Sequence, residues 1–208
     1  MYRLSRLGRP RSGERTLSRA QVVERALELA DAEGIDALSM RRLGRELGVE
    51  AMALYTHVRS KDDLLAEIGS LILTELEIEP RPAPDWRGRI ETVCRGWATL
   101  RERHPQSFAL IYRAGKDVLP VTEELMDALL TAGLEGADAW LAYQTLVFFL
   151  DPPLLHWPSS TPGEVWQFDG EGRHLQELAP YAKRFSWDDV WENGLALFLD
   201  GLEARLER

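Results

Sequence analysis

Apolar residues recur every three or four positions along most of this chain, which is the spacing of one face of an α-helix. Four of these segments follow a serine that can cap a helix N-terminus, namely Ser18, Ser39, Ser60 and Ser186. Further helical segments are predicted at residues 86–103, 106–115, 121–133, 136–150 and 175–185. No stretch has the strict apolar and polar alternation of a strand, so we predict an all-α fold.

The sequence around Gly48 predicts two short helices, 40–47 and 51–57, joined by a tight turn. Glycine is favoured at such a turn because it adopts left-handed backbone angles without a steric penalty. Leu43 on the first helix and Leu54 on the second provide matching apolar surfaces. Two helices packed in this way form a helix-turn-helix, whose second helix can lie in the major groove of DNA.

Three prolines within five residues interrupt the helical pattern in the segment 79–85, and such a segment cannot continue a helix. We therefore predict a flexible basic arm at 1–17, a helix-turn-helix DNA-binding domain with its connecting helix at 18–79, and a helical domain at 80–208. A polar stretch at 158–174 predicts a long irregular loop.

The net charge of −9 at pH 7 is unevenly distributed along the chain. Residues 1–61 contain 12 Lys and Arg against 8 Asp and Glu, whereas residues 62–208 contain 13 against 26. Because charges are screened beyond about 10 Å at moderate salt, a basic head can attract phosphates despite an acidic body. The charge distribution is therefore compatible with DNA binding.

The cysteine content and the lengths of the apolar runs exclude several classes of protein. The single cysteine, Cys94, excludes an internal disulfide and the usual cysteine-based zinc site. We find no Gly-rich phosphate loop, no nucleophile elbow and no metal-ligand spacing, so we expect no catalytic residue, metal or cofactor. No apolar run approaches the roughly 20 residues that span a bilayer, and the N-terminus lacks the apolar core of a secretory signal. A cytoplasmic protein without membrane association is expected.

Residues 26–65, ALELADAEGIDALSMRRLGRELGVEAMALYTHVRSKDDLL, resemble the DNA-binding domain of the TetR family of bacterial transcriptional regulators. The matching motifs are the GIDALSMRRLGRELGV turn set, the LYTHV segment and the K-x-x-LL start of the next helix. The C-terminal part resembles the tetracycline-repressor type of body, through Trp86 after the proline-rich segment, the AGLEGADAW stretch and the closing GLALFLDGLEARL.

The resemblance implies that the second helix of the helix-turn-helix enters the major groove of double-stranded, palindromic operator DNA. The residues expected to face DNA are Arg41, Ala51, Met52, Ala53, Tyr55, Thr56, His57 and Lys61. Arg41 can pair with a guanine edge, whereas the residues from Tyr55 onward suit phosphates. Since 51–53 offers only apolar side chains, base recognition is expected to depend on Arg41, on Arg42 if it reaches the DNA, and on DNA shape.

Two-fold operators require dimers, and the family dimerises through a four-helix bundle with two helices from each chain. The last helix and the helix at 137–150 are the expected contributors. On the last helix, the residues expected at the dimer interface are Gly194, Leu197, Phe198, Gly201 and Leu202.

Aromatic residues are concentrated in the C-terminal part, where the resemblance implies a pocket for a small-molecule effector. The residues expected to line it are Glu77, Cys94, Trp97, Tyr112, Trp140, Phe148 and Trp157. Core packing is the alternative for each aromatic residue. Glu77, Cys94 and Tyr112 stand where tetracycline-binding relatives carry His, Asn and His, so an aromatic or hydrophobic effector is favoured over tetracycline.

The function implied is a dimeric repressor that a small-molecule effector releases from its operator, with the helix at 62–77 joining pocket and head. A ligand-responsive activator remains the alternative, because the direction of regulation depends on operator position. The motifs disfavour an enzyme on a helical fold.

Overall fold

The computed structural model describes residues 17–76, 85–150, 184 and 186–207, and within these ranges the chain is helical and contains no strand. It divides into two compact units, one formed by Met1–Thr74 with His104–Lys116 and the other by Glu75–Arg103 with Asp117–Arg208. The predicted arm, proline-rich segment, 158–174 loop and 175–185 helix fall wholly or largely outside the described residues.

The first unit contains four α-helices, a one-turn 3₁₀ helix at Ile35–Ala37 and a longer 3₁₀ segment. The α-helices are α1 (Arg19–Glu33), α2 (Met40–Leu47), α3 (Ala51–Leu54) and α4 (Lys61–Thr74), and the longer 3₁₀ segment is Phe108–Arg113. The predicted serine caps are confirmed, since the hydroxyls of Ser18, Ser39 and Ser60 accept backbone N–H bonds from the residue three positions later. Each cap satisfies one N–H group that the helix itself leaves unpaired.

The second helix of the helix-turn-helix is shorter than predicted. It ends at Leu54, and residues 55–57 form a turn in place of the last helical turn. The amides of Tyr55, Thr56 and His57 each donate to the carbonyl three residues earlier, at 2.9–3.3 Å. Such 3₁₀-type bonds tighten the chain at a helix end. The predicted helix at 106–115 likewise takes the 3₁₀ form, and Gly115 with φ of 62° interrupts it.

The core of the first unit is apolar and includes residues from both of its chain segments. Its fully buried members are Val22, Ala26, Leu43, Leu54, Leu64, Ile68 and Ile72 of the helices, with Leu110 and Ile111 of the 3₁₀ segment almost fully buried. A Cβ atom built on Gly69 would lie 2.1 Å from the carbonyl oxygen of Leu110. The 3₁₀ segment therefore approaches α4 at backbone distance.

The second unit contains α5 (Trp86–Arg103), α6 (Leu119–Thr131), α7 (Gly136–Leu150) and α8 (Trp187–Leu206). Its most deeply buried side chains include Ile90, Cys94, Leu129, Leu146, Leu195 and Leu199. Arginines of α5 join neighbouring helices: Arg89 contacts Glu124 and Asp127 of α6, and Arg87 contacts Asp200 and Glu203 of α8.

Candidate nucleic-acid interface

The turn between α2 and α3 is fixed by two glycines. Gly48 adopts left-handed backbone angles, with φ of 70° and ψ of 28°, and forms the cap of α2. A Cβ atom on Gly44 would lie 2.8 Å from the Val49 carbonyl oxygen, so α3 approaches α2 more closely than a larger residue would allow. Leu43 and Leu54 are fully buried between these helices and the rest of the unit. The geometry is that of a helix-turn-helix.

All residues predicted to face DNA lie at the surface of the first unit. Arg41, Met52, Ala53, Tyr55, Thr56 and Lys61 are exposed, while Ala51 and His57 are half-buried. Met52 exposes 75% of its surface. The Thr56 hydroxyl donates to the Ala53 carbonyl at 2.7 Å, which leaves its lone pairs available as acceptors.

The cations of this surface divide into paired and unpaired groups. Arg19 lies 2.7 Å from Glu67, and Arg25 lies 2.7 Å from Glu46. By contrast, four cations form no ion pair with any residue in the described part of the chain: Arg41, Arg45, Arg59 and Lys61. Arg45 and Arg59 were not among the predicted DNA-facing residues. Within the described part of this surface, Arg41, Arg45, Arg59 and Lys61 are therefore the cations available to bind phosphates.

Arg42 belongs to the paired group. Its guanidinium lies 2.5 Å from Glu33 of α1 and 3.8 Å from Glu46. Glu46 also accepts a hydrogen bond from Arg25, which lowers the pKa of that carboxyl below its usual range. Arg42 therefore ties α2 to α1, whereas its neighbour Arg41 is exposed and forms no ion pair within the described residues.

A buried polar cluster holds the 104–116 segment to α1. The Nδ1 atom of His104 lies 2.8 Å from an Asp31 carboxylate oxygen, and the Ser107 hydroxyl donates to the other oxygen of the same carboxylate. Ser107 is fully buried and His104 nearly so. Hydrogen bonds to a carboxylate in such surroundings are stronger than neutral ones. Sequence reasoning missed this cluster, because Asp31 lies more than 70 positions from both partners.

The predicted effector residues are only partly brought together. Cys94 and Trp97 are buried on the same side of α5. Trp140 and Phe148 are exposed on α7, with 65% of the Phe148 surface accessible, and Tyr112 is an exposed residue of the first unit. Glu77 and Trp157 lie outside the described residues. Burial raises the pKa of the Cys94 thiol to about 12, so this group is neutral at pH 7.

A cleft of about 290 Å³ lies beside α5 in the second unit. Trp97 is the predicted effector residue that lines it. Its other lining residues are Ala98, Thr99, Leu150 and Trp191, with the charged Arg95, Arg101, Glu102, Asp188 and Glu192. The ion pair between Arg95 and Glu192 joins α5 to α8 at this cleft. In the described ranges, no three His, Cys, Asp or Glu side chains are grouped as a metal ion would require.

Exposed apolar residues are concentrated on α7 and α8. They are Trp140, Leu141, Val147 and Phe148 on α7, and Val190 and Leu197 on α8. Of the residues predicted at the dimer interface, Leu197 and Gly201 are exposed, Gly194 and Phe198 are half-buried, and Leu202 is buried within its own chain. Gly194 has a role inside the chain, because its Cβ would lie 2.5 Å from the Phe149 ring.

Comparison with known proteins identifies this arrangement. Residues 22–68, which run from α1 into α4, match the family described as bacterial regulatory proteins, tetR family. Over 205 residues the chain is 37% identical to tetracycline repressor protein class E of Escherichia coli, a match that covers 92% of this chain and 93% of that repressor. The chain belongs to the TetR family. This confirms the resemblance, and with it the predicted all-α class with an N-terminal helix-turn-helix.

Other TetR-family proteins match in part or in fold. The transcriptional repressor DrrR1 of Streptomyces coeruleorubidus is 39% identical over 103 residues, and the match covers 47% of this chain and 37% of that repressor. ActR of Streptomyces coelicolor, in its crystal structure with actinorhodin, is similar with a TM-score of 0.74 and 28% identity, covering 92% of this chain and 99% of ActR. BioQ, crystallised with its double-stranded DNA operator, gives a TM-score of 0.65 and 26% identity, with 91% and 99% covered.

The TetR-family assignment narrows the class of activity to transcriptional regulation, and both of the sequence relatives are repressors by name. None of the helices in the described part of the chain is long and apolar enough to cross a membrane.

Proposed function

We propose that this TetR-family chain is a dimeric repressor that binds a palindromic operator and leaves it when a small-molecule effector binds its second unit. The observation that carries the proposal is the helix-turn-helix surface itself. There α3 approaches α2 closely at Gly44, and the same unit exposes four cations that form no ion pair within the described residues, namely Arg41, Arg45, Arg59 and Lys61. BioQ, a structural relative, has been crystallised on an operator duplex.

The proposed DNA contacts assign different roles to the surface residues. Arg41 reads a guanine edge, since a guanidinium can donate two hydrogen bonds to guanine O6 and N7. Tyr55, Thr56, His57 and Lys61 bind phosphates and fix the register of the head on the duplex. Arg45 and Arg59 add to the phosphate contacts. Arg42 is excluded from base recognition, because Glu33 and Glu46 hold it.

The proposed dimer covers the exposed apolar side chains of α7 and α8. Leu197 exposes 64% of its surface and Phe148 exposes 65%, and such a concentration of large apolar residues is typical of an interaction surface. Among the described residues, no atom lies within 4 Å of the position of a Cβ on Gly201, so a partner helix can approach it closely. The two DNA-binding heads of such a dimer are related by its two-fold axis, so the operator is expected to be palindromic.

The proposed effector is aromatic or hydrophobic and binds the second unit along α5, at the cleft that Trp97 lines. ActR binds actinorhodin. A polycyclic aromatic molecule is therefore a reasonable first probe for the present protein. A metal-bound tetracycline is disfavoured, because Cys94 and Tyr112 replace polar ligands at their positions.

Selection of bound duplexes from a random DNA pool tests the DNA-binding proposal directly. The full chain is expected to enrich a palindromic sequence, with affinity that falls steeply as salt rises. A triple variant, Arg41→Ala with Arg59→Ala and Lys61→Ala, should enrich nothing under the same conditions. Failure of the unmodified protein to enrich any sequence at moderate salt would refute the proposed function.

A thermal-shift screen on the operator-free protein tests the effector proposal. A specific ligand at 100 times its dissociation constant stabilises the fold by about 2.7 kcal/mol. The same ligand is expected to release the selected operator in a binding assay. Trp97→Ala should abolish the shift while leaving operator affinity unchanged, and a shift that persists in this variant would contradict the assignment of the site to α5.

A further inference from the structure

Met52 is the most exposed large apolar side chain in the described part of the chain. It lies in the middle of α3, between Ala51 and Ala53, so none of the three side chains donates a hydrogen bond to a base edge, and the Met52 thioether is only a weak acceptor. The next residue but one, Leu54, is fully buried. The short helix therefore has one face in the core and one apolar side chain directed outward.

The position of Met52 is set by the core beneath it. Leu54 fixes the inner face of α3, and the close approach at Gly44 leaves α3 no room to shift toward α2. Four cations that form no ion pair within the described part of the chain lie on the same head, and their attraction to phosphates would bring Met52 against the duplex. An outward methionine on a fixed helix of a basic surface is placed to meet an apolar group of the bound duplex.

The major groove offers one apolar group at the edges of its standard base pairs, the C5-methyl of thymine. Methionine is unbranched and polarisable, so it adapts its shape to a methyl group. Resting on the DNA binding proposed above, we infer that Met52 reads a pyrimidine C5-methyl group in each half-site. The same group is present on 5-methylcytosine, so the site senses that modification as well as thymine.

Replacing single thymines of the selected operator by deoxyuridine tests the inference, because this change removes the methyl group and keeps the base pairing. Replacing the sensitive thymine in one half-site should weaken binding by about fourfold, and replacing it in both half-sites should weaken binding by about fifteenfold. At the other thymines the replacement should have little effect.

Protein variants assign the effect to its residue. Met52→Ala should bind the thymine and deoxyuridine operators equally, whereas Met52→Leu, which keeps an apolar side chain of similar length, should retain most of the difference. Arg41→Ala serves as the matched control, since it should bind more weakly and yet keep the fourfold difference. Because Met52 is exposed, its replacement leaves the core intact.

A cytosine series distinguishes the two sources of the methyl group. When the sensitive pair is changed to C·G, methylation of that cytosine at C5 should recover about fourfold in affinity with the unmodified protein and nothing with Met52→Ala. An operator that binds equally with and without each methyl group would overturn the inference and leave the proposed function standing. Failure to select any operator would overturn both.

Discussion

Gly69 and Leu110 are in backbone contact, such that a methyl group on Gly69 would lie 2.1 Å from the Leu110 carbonyl oxygen and 2.7 Å from its carbon. The obstacle is backbone and not a movable side chain, so it cannot be relieved by a change of rotamer. Leu110 and Ile111 are almost fully buried at this contact. The packing of the 3₁₀ segment on α4 thus depends on the absence of a side chain at one position.

Gly69→Ala is therefore expected to destabilise the first unit by about 1–3 kcal/mol, because overpacking at a closed contact forces backbone shifts. Urea unfolding followed by circular dichroism measures the loss. Thr74→Ala, an exposed change near the end of the same helix, should stay within about 0.5 kcal/mol of the unmodified protein. A Gly69→Ala protein as stable as this control would show that the contact is looser than described.

Arg41→Ala should weaken specific operator binding by about 1–3 kcal/mol and relax the preference at one base position per half-site. Arg42→Ala is the adjacent control. It breaks the pairing with Glu33 and Glu46, so we expect a change in unfolding free energy of about 1 kcal/mol or less and an unchanged base preference. Quantitative selection of operator sequences with both variants distinguishes the two roles. A relaxed base preference in Arg42→Ala, with an unchanged preference in Arg41→Ala, would contradict the assignment.

Two glycines of α8 give a matched test of the dimer. A side chain at Gly201 meets no atom of the described residues, so Gly201→Leu should keep its helical circular dichroism and sediment as a monomer. Gly194→Leu collides with the Phe149 ring inside the chain and should lower the unfolding temperature at every protein concentration. A Gly201→Leu protein that sediments as a dimer would place the interface elsewhere.

The thiol of Cys94 should be inert in the native protein. Its pKa is raised to about 12 by burial, so at pH 8 the reactive thiolate is scarce and the sulfur is also inaccessible. Labelling with 5,5′-dithiobis(2-nitrobenzoic acid) is expected to follow the urea unfolding transition. In a Cys94→Ala background, an exposed cysteine introduced as Thr74→Cys should react at once, and equally rapid labelling of native Cys94 would contradict its described burial.

The cap of α8 predicts one pH dependence. The backbone amide and hydroxyl of Ser186 both donate to the Asp189 carboxylate at 2.7 Å, and they hold the pKa of Asp189 below its ordinary value. A lowered folded-state pKa means that this stabilisation is complete above the unfolded value of about 4 and is lost as the pH falls through the folded value. The difference in unfolding temperature between the unmodified protein and Asp189→Asn should therefore shrink from pH 6 to pH 3. A difference independent of pH would indicate that the carboxylate charge plays no part.

The sequence predicted the parts of the fold that local interactions determine. The caps at Ser18, Ser39 and Ser186 and the turn at Gly48 follow from residues within four positions of each other, and the structure has all of them. The predicted end of α3 was wrong by three residues. The choice between α-helical and 3₁₀ hydrogen bonds at 55–57 depends on packing around Leu54 and Val58, which no local sequence pattern encodes.

The sequence predicted which helices form the candidate site, but not which side chains pair with each other there. Arg41 and Arg42 are equivalent in the sequence, and only the approach of Glu33 from α1 shows that one is held and the other free. The cluster of Asp31, His104 and Ser107 joins residues more than 70 positions apart, which helical periodicity cannot relate.

The first unit is assembled from two separate stretches of chain, and this has a practical consequence for anyone who wishes to transplant it. A fragment that ends at the proline-rich segment would lack Leu110 and Ile111, so the apolar surface that they cover on α4 would be exposed to water. A hybrid regulator that combines this head with the sensor of another protein therefore needs more than one junction. The stretch from His104 to Lys116 has to travel with the head, and the foreign sequence has to be inserted around it.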